Sequence, residues 1–192
     1  GETLIERHLR RLHEADVAEI VINVSYRGER IRSALGDVSS WGQTLRYSEE
    51  NAPALETGGG IINALPYLRP GPFIVVNADV YSDVDFATLS CEQCEGRLML
   101  VPNPPHHEHG DFGLAPPDVV TAMPPFLTYA GVAAFTPALF DGFDPGYRRL
   151  RPILDAAIAR GSLRGFRYPG IWHDVGTPKR LAEVREQFGG AI

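Results

Sequence analysis

The chain has 192 residues, enough for one domain with a single substantial core. With 44% hydrophobic and 22% charged residues it has the composition of an ordinary soluble globular protein, and its net charge of −6 argues against a general nucleic-acid or anionic-membrane binder. No apolar run approaches the roughly 18 residues of a membrane span and no signal-peptide pattern opens the sequence, so a cytoplasmic protein is expected.

In chain order, Leu4, Ile5, His8, Leu9 and Leu12 share one face of an amphipathic helix, with Thr3 and Glu6 placed as a capping box. Residues 18–24 read as a buried strand, 30–35 as a short helix stopped by Gly36, and 44–48 as a further strand. This helix–strand–helix–strand order points to parallel strands joined by helical crossovers. Next comes Glu56-Thr57-Gly58-Gly59-Gly60 ahead of a helical stretch stopped by Pro66. Three glycines let backbone approach a ligand, and a helix start offers free N–H groups; the plainer alternative is a flexible turn capped by Thr57. The segment is neither a P-loop nor GxGxxG.

Residues 73–76 form an apolar run that reads as a strand buried on both faces, ending in Asn77 and Asp79. Open α/β sheets bind ligands outside the carboxyl ends of their strands, which suits a carboxylate there for chemistry; a turn cap is the other reading. Asp83 and Asp85 form a DxD, but both residue types are turn formers, and a solvated loop is expected. Cys91 and Cys94 give half a zinc ribbon at most, and reduced thiols are expected. Residues 97–101 are a strand.

His106, His107, Glu108, His109 and Asp111 then crowd one short segment. Zinc suits those side chains, but no i, i+4 helical spacing or second ligand group accompanies them, so a polar loop over the site is expected. Seven prolines make residues 102–125 mostly irregular. Residues 127–135 are strand-like around Gly131, whose place inside a strand suggests a bulge or a closely approaching ligand. A helix over 151–160, a strand over 163–168, and a closing helix begun by Thr177 and Pro178 complete the chain, with Asp174 just ahead of that helix.

Taken together, Glu56-Thr-Gly-Gly-Gly60, Val76-Asn-Ala-Asp79, Gly110-Asp-Phe112 and Trp172-His-Asp-Val-Gly-Thr177 resemble the sugar-1-phosphate nucleotidyltransferases. The resemblance is nearest to the bacterial N-acetylmuramate-1-phosphate uridylyltransferase group, with the mannose-1-phosphate guanylyltransferases similar. It implies a Rossmann-like, doubly wound α/β fold with a mostly parallel sheet and helices on both faces. It also implies transfer of a nucleoside monophosphate from an NTP to a sugar-1-phosphate, with Mg²⁺, in cell-wall sugar recycling, by a monomer or homodimer that needs neither nucleic acid nor membrane. By the same resemblance Asp79 and Asp174 are the metal-binding, catalytic acids. Asn77, Asp111 and Gly131 lie near the sugar, and Glu56, Thr57, Gly58, Gly59 and Gly60 lie against the base and ribose. The chemistry agrees, since phosphoryl transfer between anions is mainly positioning and charge neutralisation.

The family opens with a strand and a glycine-rich, arginine-containing loop followed by a lysine–proline pair that grips the phosphates. Here the single lysine is Lys179, at the other end of the chain. The expectation is therefore one domain over 1–192 that lacks its first, central strand and phosphate-binding loop and shows little turnover by itself. Two rivals are a GT-A-type glycosyltransferase using Asp83 and Asp85 and a non-catalytic nucleotide-sugar sensor.

Overall fold

The computed structural model describes residues 1–50 and 54–188. Its elements are α1 (Leu4–Glu14), β1 (Glu19–Val24), α2 (Gly28–Leu35), β2 (Thr44–Glu49), α3 (Glu56–Ala64), β3 (Phe73–Val76), β4 (Val80–Ser82), β5 (Gly96–Val101), β6 (Phe112–Ala115), β7 (Val119–Thr121), β8 (Phe126–Phe135), α4 (Leu150–Ala159), β9 (Leu163–Arg167), β10 (Trp172–Asp174) and α5 (Pro178–Phe188).

The centre is set by β5. Its side chains alternate between two cores, Leu98 and Leu100 toward α3 and α4, Met99 and Val101 toward the other face, and all four are buried. A strand covered on both sides needs an uninterrupted apolar run, and this one has it. On the first face Ile61 and Ile62 of α3 and Ile153, Leu154 and Ala157 of α4 close over the sheet. On the second, Leu12 of α1 joins Val84, Phe86 and Leu89. The α/β layering is as expected; the strand directions are not. Six strands pair in the order β3-β8-β5-β9-β7-β6, and among the described residues only β1–β2 and β5–β9 are parallel. The sheet is mixed because the long β8 runs antiparallel to both β3 and β5.

The run 73–76 also departs from expectation. Phe73 and Val75 face one core and Ile74 and Val76 the other, yet all four residues are only half-buried. The cause is an open edge. Among the described residues β3 pairs only with β8 and β1 only with β2, and a cleft of about 460 Å³ lies between them, lined by Val17, Ile20, Phe73, Ile74 and Leu89.

The capping box at Thr3 forms as read, with the Thr3 N–H donating to Glu6 at 2.8 Å and the Glu6 N–H donating to Thr3 Oγ1 at 3.3 Å. α1 turns Arg7 and His8 inward together with Leu9 and Leu12. The Arg7 guanidinium lies 4.1 Å from the centre of the Tyr81 ring, and both ring nitrogens of the buried His8 lack a hydrogen-bond partner among the described residues. Burial, followed by the charges of Arg7 and Arg11, pushes the His8 pKa down to about 4. Below the ordinary value near 6.5 the unfolded chain takes up a proton that the folded one refuses. Stability therefore falls as pH drops from about 6.5 toward about 4, by on the order of 3 kcal/mol in full. Urea melts at about pH 7 and about pH 4.5 are expected to show this loss, and His8→Leu should remove that share of it. An unchanged pH slope in the variant would rule His8 out as the cause.

Candidate active site

β3 stops at Val76 because Asn77-Ala78-Asp79 turns the chain into β4. The Asn77 N–H donates to the Gly131 carbonyl at 2.8 Å and the Val80 N–H to the Asn77 carbonyl at 3.2 Å. β4 pairs antiparallel with β10, setting Asp174 opposite Val80, and the Val175 N–H donates to the Asp79 carbonyl at 2.7 Å. Two acids far apart in sequence thus become neighbours. A Cβ on Gly176 would lie 3.1 Å from Asp174 Oδ1 and 3.3 Å from Asp79 Oδ2, so both carboxylates converge on the space beside that glycine.

The two acids are held differently. Asp174 Oδ1 accepts from the Gly176 N–H at 3.0 Å, and its Oδ2 accepts from Arg180 at 2.7 Å and from His106 Nε2 at 3.1 Å. Partial burial raises its pKa, but the Gly176 amide, the Arg180 charge and the contact with His106 outweigh this and hold the carboxyl below its usual range. The Asp79 side chain is exposed and has no hydrogen-bond or ion-pair partner among the described residues. Among the described residues no three His, Cys, Asp or Glu side chains are placed to hold one metal ion together, so the free carboxylate of Asp79 beside Asp174 does not make a closed zinc site. It does fit Mg²⁺, which takes one or two carboxylates and fills its remaining positions with phosphate oxygens and water.

Next to this pair lies Gly131, with φ +72°, where a Cβ would come within 2.7 Å of Asn77 Nδ2. Of the bulge or closely approaching ligand expected at this glycine, the structure shows the bulge. The β5–β8 register shifts between Leu98 and Leu100, and the close neighbour is the Asn77 side chain. That amide makes no hydrogen bond among the described residues and is available to a hydroxyl. Trp172 Nε1–H donates to the Ala130 carbonyl at 2.9 Å and ties β10 to β8 at this place. Asp111 stands one step along β8, its Oδ2 accepting from the Tyr129 N–H at 2.8 Å and its Oδ1 facing His107 Nε2 at 3.1 Å. Asn77, Asp79, Gly131 and Asp174 are therefore linked through direct contacts or single intervening residues, and Asp111 joins Gly131 through Tyr129 and Ala130.

The triple glycine is not the flexible turn that the sequence offered as its plainer alternative. Gly58, Gly59 and Gly60 are buried inside α3, which starts at Glu56 without a side-chain cap. The first two pack on the backbone of residues 146–149, and Gly60 meets the ends of Glu50 and Asn23. Glu56, in a left-handed conformation with φ +61°, and Thr57 are the exposed members. Thr57 is not the helix cap. α4 connects this end to the rest, since Arg151 donates to the Asp111 carbonyl at 3.1 Å.

Asp83 and Asp85 do structural work. Asp83 accepts from Tyr168 and from the Ile171 N–H, and Asp85 caps the short turn of helix at Phe86–Thr88. Cys91 and Cys94 are free thiols, the Cys91 Sγ lying 3.1 Å from the Cys94 carbonyl. Sequence reading missed the grip of Arg180 and His106 on Asp174 and of His107 on Asp111. The only trace of it was the dense run of polar side chains between prolines.

No protein-family model matches the chain. It is 42% identical to the N-acetylmuramate alpha-1-phosphate uridylyltransferase of Neisseria meningitidis serogroup B, over 98% of this chain and 86% of that protein. It is 32% identical to the Caulobacter vibrioides protein of the same name, over 96% of this chain and 84% of that one. The crystal structure of HddC from Yersinia pseudotuberculosis complexed with GMP-PN shares the fold, with a TM-score of 0.78 at 20% identity over 96% of this chain and 84% of that one. The chain is a nucleotidyltransferase. It belongs to the N-acetylmuramate alpha-1-phosphate uridylyltransferase family, within the sugar-1-phosphate nucleotidyltransferases that its motifs resemble. Among the described residues no helix is long and apolar enough to cross a membrane.

Proposed function

We propose that the protein transfers a uridylyl group from UTP to N-acetylmuramate α-1-phosphate, giving a UDP-sugar and pyrophosphate, as a cytoplasmic monomer or homodimer serving cell-wall sugar recycling. The observation that carries this reading is the convergence of Asp79 and Asp174 beside Gly176, in a chain 42% identical to a uridylyltransferase of that name. In the reaction an oxygen of the sugar phosphate bonds to the α-phosphorus of UTP while the bond to the β-phosphate bridging oxygen breaks, and pyrophosphate leaves in line. Asp79 and Asp174 would hold Mg²⁺, which when bound supplies charge neutralisation between two anionic reactants. Asn77, Asp111 and Gly131 orient the sugar. Glu56 and Thr57, with the glycines beneath them, face the base and ribose. The internal bonds of Asp83 and Asp85 leave little for a GT-A-type metal motif there.

The facing edges of β1 and β3, unpaired among the described residues, support a second part of the reading. Exposed apolar edges are normally covered, and one extended strand running between them would join the β1–β2 pair to the six-stranded sheet. Such a strand, with a phosphate-gripping loop at its carboxyl end, would complete the domain over 1–192 that the family resemblance expects.

The test is pyrophosphate release from UTP, GTP, dTTP and CTP against the 1-phosphates of N-acetylmuramate, N-acetylglucosamine and mannose. The protein is expressed from its natural start codon and assayed with Mg²⁺. Release with UTP and N-acetylmuramate 1-phosphate is expected. Preference for GTP with mannose 1-phosphate would reassign the substrates, and saturable UDP-sugar binding without release from any pair would make the protein a sensor.

A further inference from the structure

The histidine-rich segment is the part of the sequence that the function above leaves unused. The structure gives its two adjacent histidines opposite partners. His106 Nε2 meets Asp174 Oδ2 and His107 Nε2 meets Asp111 Oδ1, each at 3.1 Å. A carboxylate only accepts, so in both cases Nε2 carries the proton and donates. One loop thus reaches both the acid on the metal side and the acid on the sugar side.

The loop is built to hold those positions. Asn103 Nδ2 donates to the Glu108 and Phe126 carbonyls at 2.9 and 3.1 Å, and its Oδ1 accepts from Thr128 at 2.9 Å, stapling both ends of the segment to β8. The His107 N–H donates to the Pro104 carbonyl at 2.9 Å, and Gly110, with φ +64°, turns where a Cβ would strike Asn103. The partners have matching vacancies. Asp111 Oδ2 is taken by the Tyr129 N–H, so Oδ1 is turned to His107. Asp174 is fixed on its other oxygen by Gly176 and shares Oδ2 between Arg180 and His106. An N–H donor on Oδ2 fixes the orientation of the Asp174 carboxylate alongside the Arg180 contact. A cleft of about 800 Å³ beside His106, His173 and Asp174 leaves room for a substrate.

We propose that His106 and His107 are positioning residues, His106 fixing Asp174 for the metal and His107 fixing Asp111 for the sugar, so that one rigid loop sets both halves of the site. This rests on the assignment of Asp174 and Asp111 above. The test is calorimetric titration of the protein with Mn²⁺ in the presence of UTP, and separately with N-acetylmuramate 1-phosphate. His106→Ala should weaken Mn²⁺ binding about fivefold and leave the sugar phosphate unaffected, and His107→Ala should do the reverse. Glutamine places an N–H donor near the imidazole Nε2, so His106→Gln and His107→Gln should recover most of each loss. All four variants should melt with the wild type. Alanine variants that bind like wild type, or that each weaken both ligands equally, overturn the proposal. Asp174→Asn and Asp111→Asn separate it from its premise. If they lose their ligands while the histidine variants do not, positioning fails alone. If they bind normally, or if the wild type binds neither ligand, the site assignment fails and the proposal with it.

Discussion

Asp79→Asn is expected to lower the rate of pyrophosphate release by about a thousandfold or more while leaving the melting temperature unchanged. Removing a metal-binding carboxylate forfeits several kcal/mol of charge stabilisation, and each 1.4 kcal/mol is about tenfold in rate. The fold has little to lose, because the Asp79 side chain is exposed and makes no bond within the described chain. Asp174→Asn should be as inactive but less stable, since the same change removes the charge facing Arg180 and His106. Gly176→Ala tests the geometry between them. Its methyl would sit at 3.1 and 3.3 Å from the two carboxylates, so activity should drop by a smaller factor and recover in part at high Mg²⁺. Full activity in Asp79→Asn, measured with enzyme from the natural start codon, would falsify the assignment of the metal side. An inactive Asp79→Asn that also melts early would show that the carboxylate is structural instead.

Much of this arrangement could be read from local pattern. The run 97–101 reads as a strand, Thr3 with Glu6 as a helix start, and the Thr177–Pro178 pair as the start of the closing helix, whose Arg180 N–H donates to Thr177 Oγ1 at 3.3 Å. Each of these signals lies within a few residues of what it determines. Strand direction does not. Whether β8 runs with or against β3 depends on where residues 77–125 carry the chain in between, and nothing local in Phe126–Phe135 records that. The three-residue strands β4 and β10 are too short to show a period, yet their pairing is what brings Asp79 to Asp174. Asp79 and Asp174, which the structure brings together, were singled out only because several motifs stood in a familiar order. The partners of His106 were not legible at all, since its bond to Asp174 exists only after Asn103 has closed the loop.

The three consecutive glycines show composition recognising a special backbone without showing what approaches it, and they yield the second large effect. Gly59→Ala is expected to destabilise the fold by about 3 kcal/mol, lowering the melting temperature by about 10 °C. Helix propensity alone predicts the opposite sign, because alanine inside a helix is favoured over glycine by about 1 kcal/mol. Packing wins at this position. The new Cβ would lie 2.1 Å from the Gly146 carbonyl oxygen and 3.2 Å from the Arg148 nitrogen, and the Gly59 N–H already binds the Arg148 carbonyl at 2.9 Å. Both obstacles are backbone, so α3 or the 146–149 segment must move. At Gly60 the added carbon would meet the side-chain ends of Glu50 and Asn23 at 2.5 and 2.9 Å, which can swing aside. Gly60→Ala should therefore lie within about 1 kcal/mol of wild type, the helix gain offsetting the displaced carboxylate. Calorimetric melts of the two variants decide the matter. Equal melting temperatures would mean that α3 does not touch the 146–149 backbone closely, and the glycines would then be free to face a nucleotide directly. A large loss at Gly59 alone makes them the floor on which exposed Glu56 and Thr57 are presented.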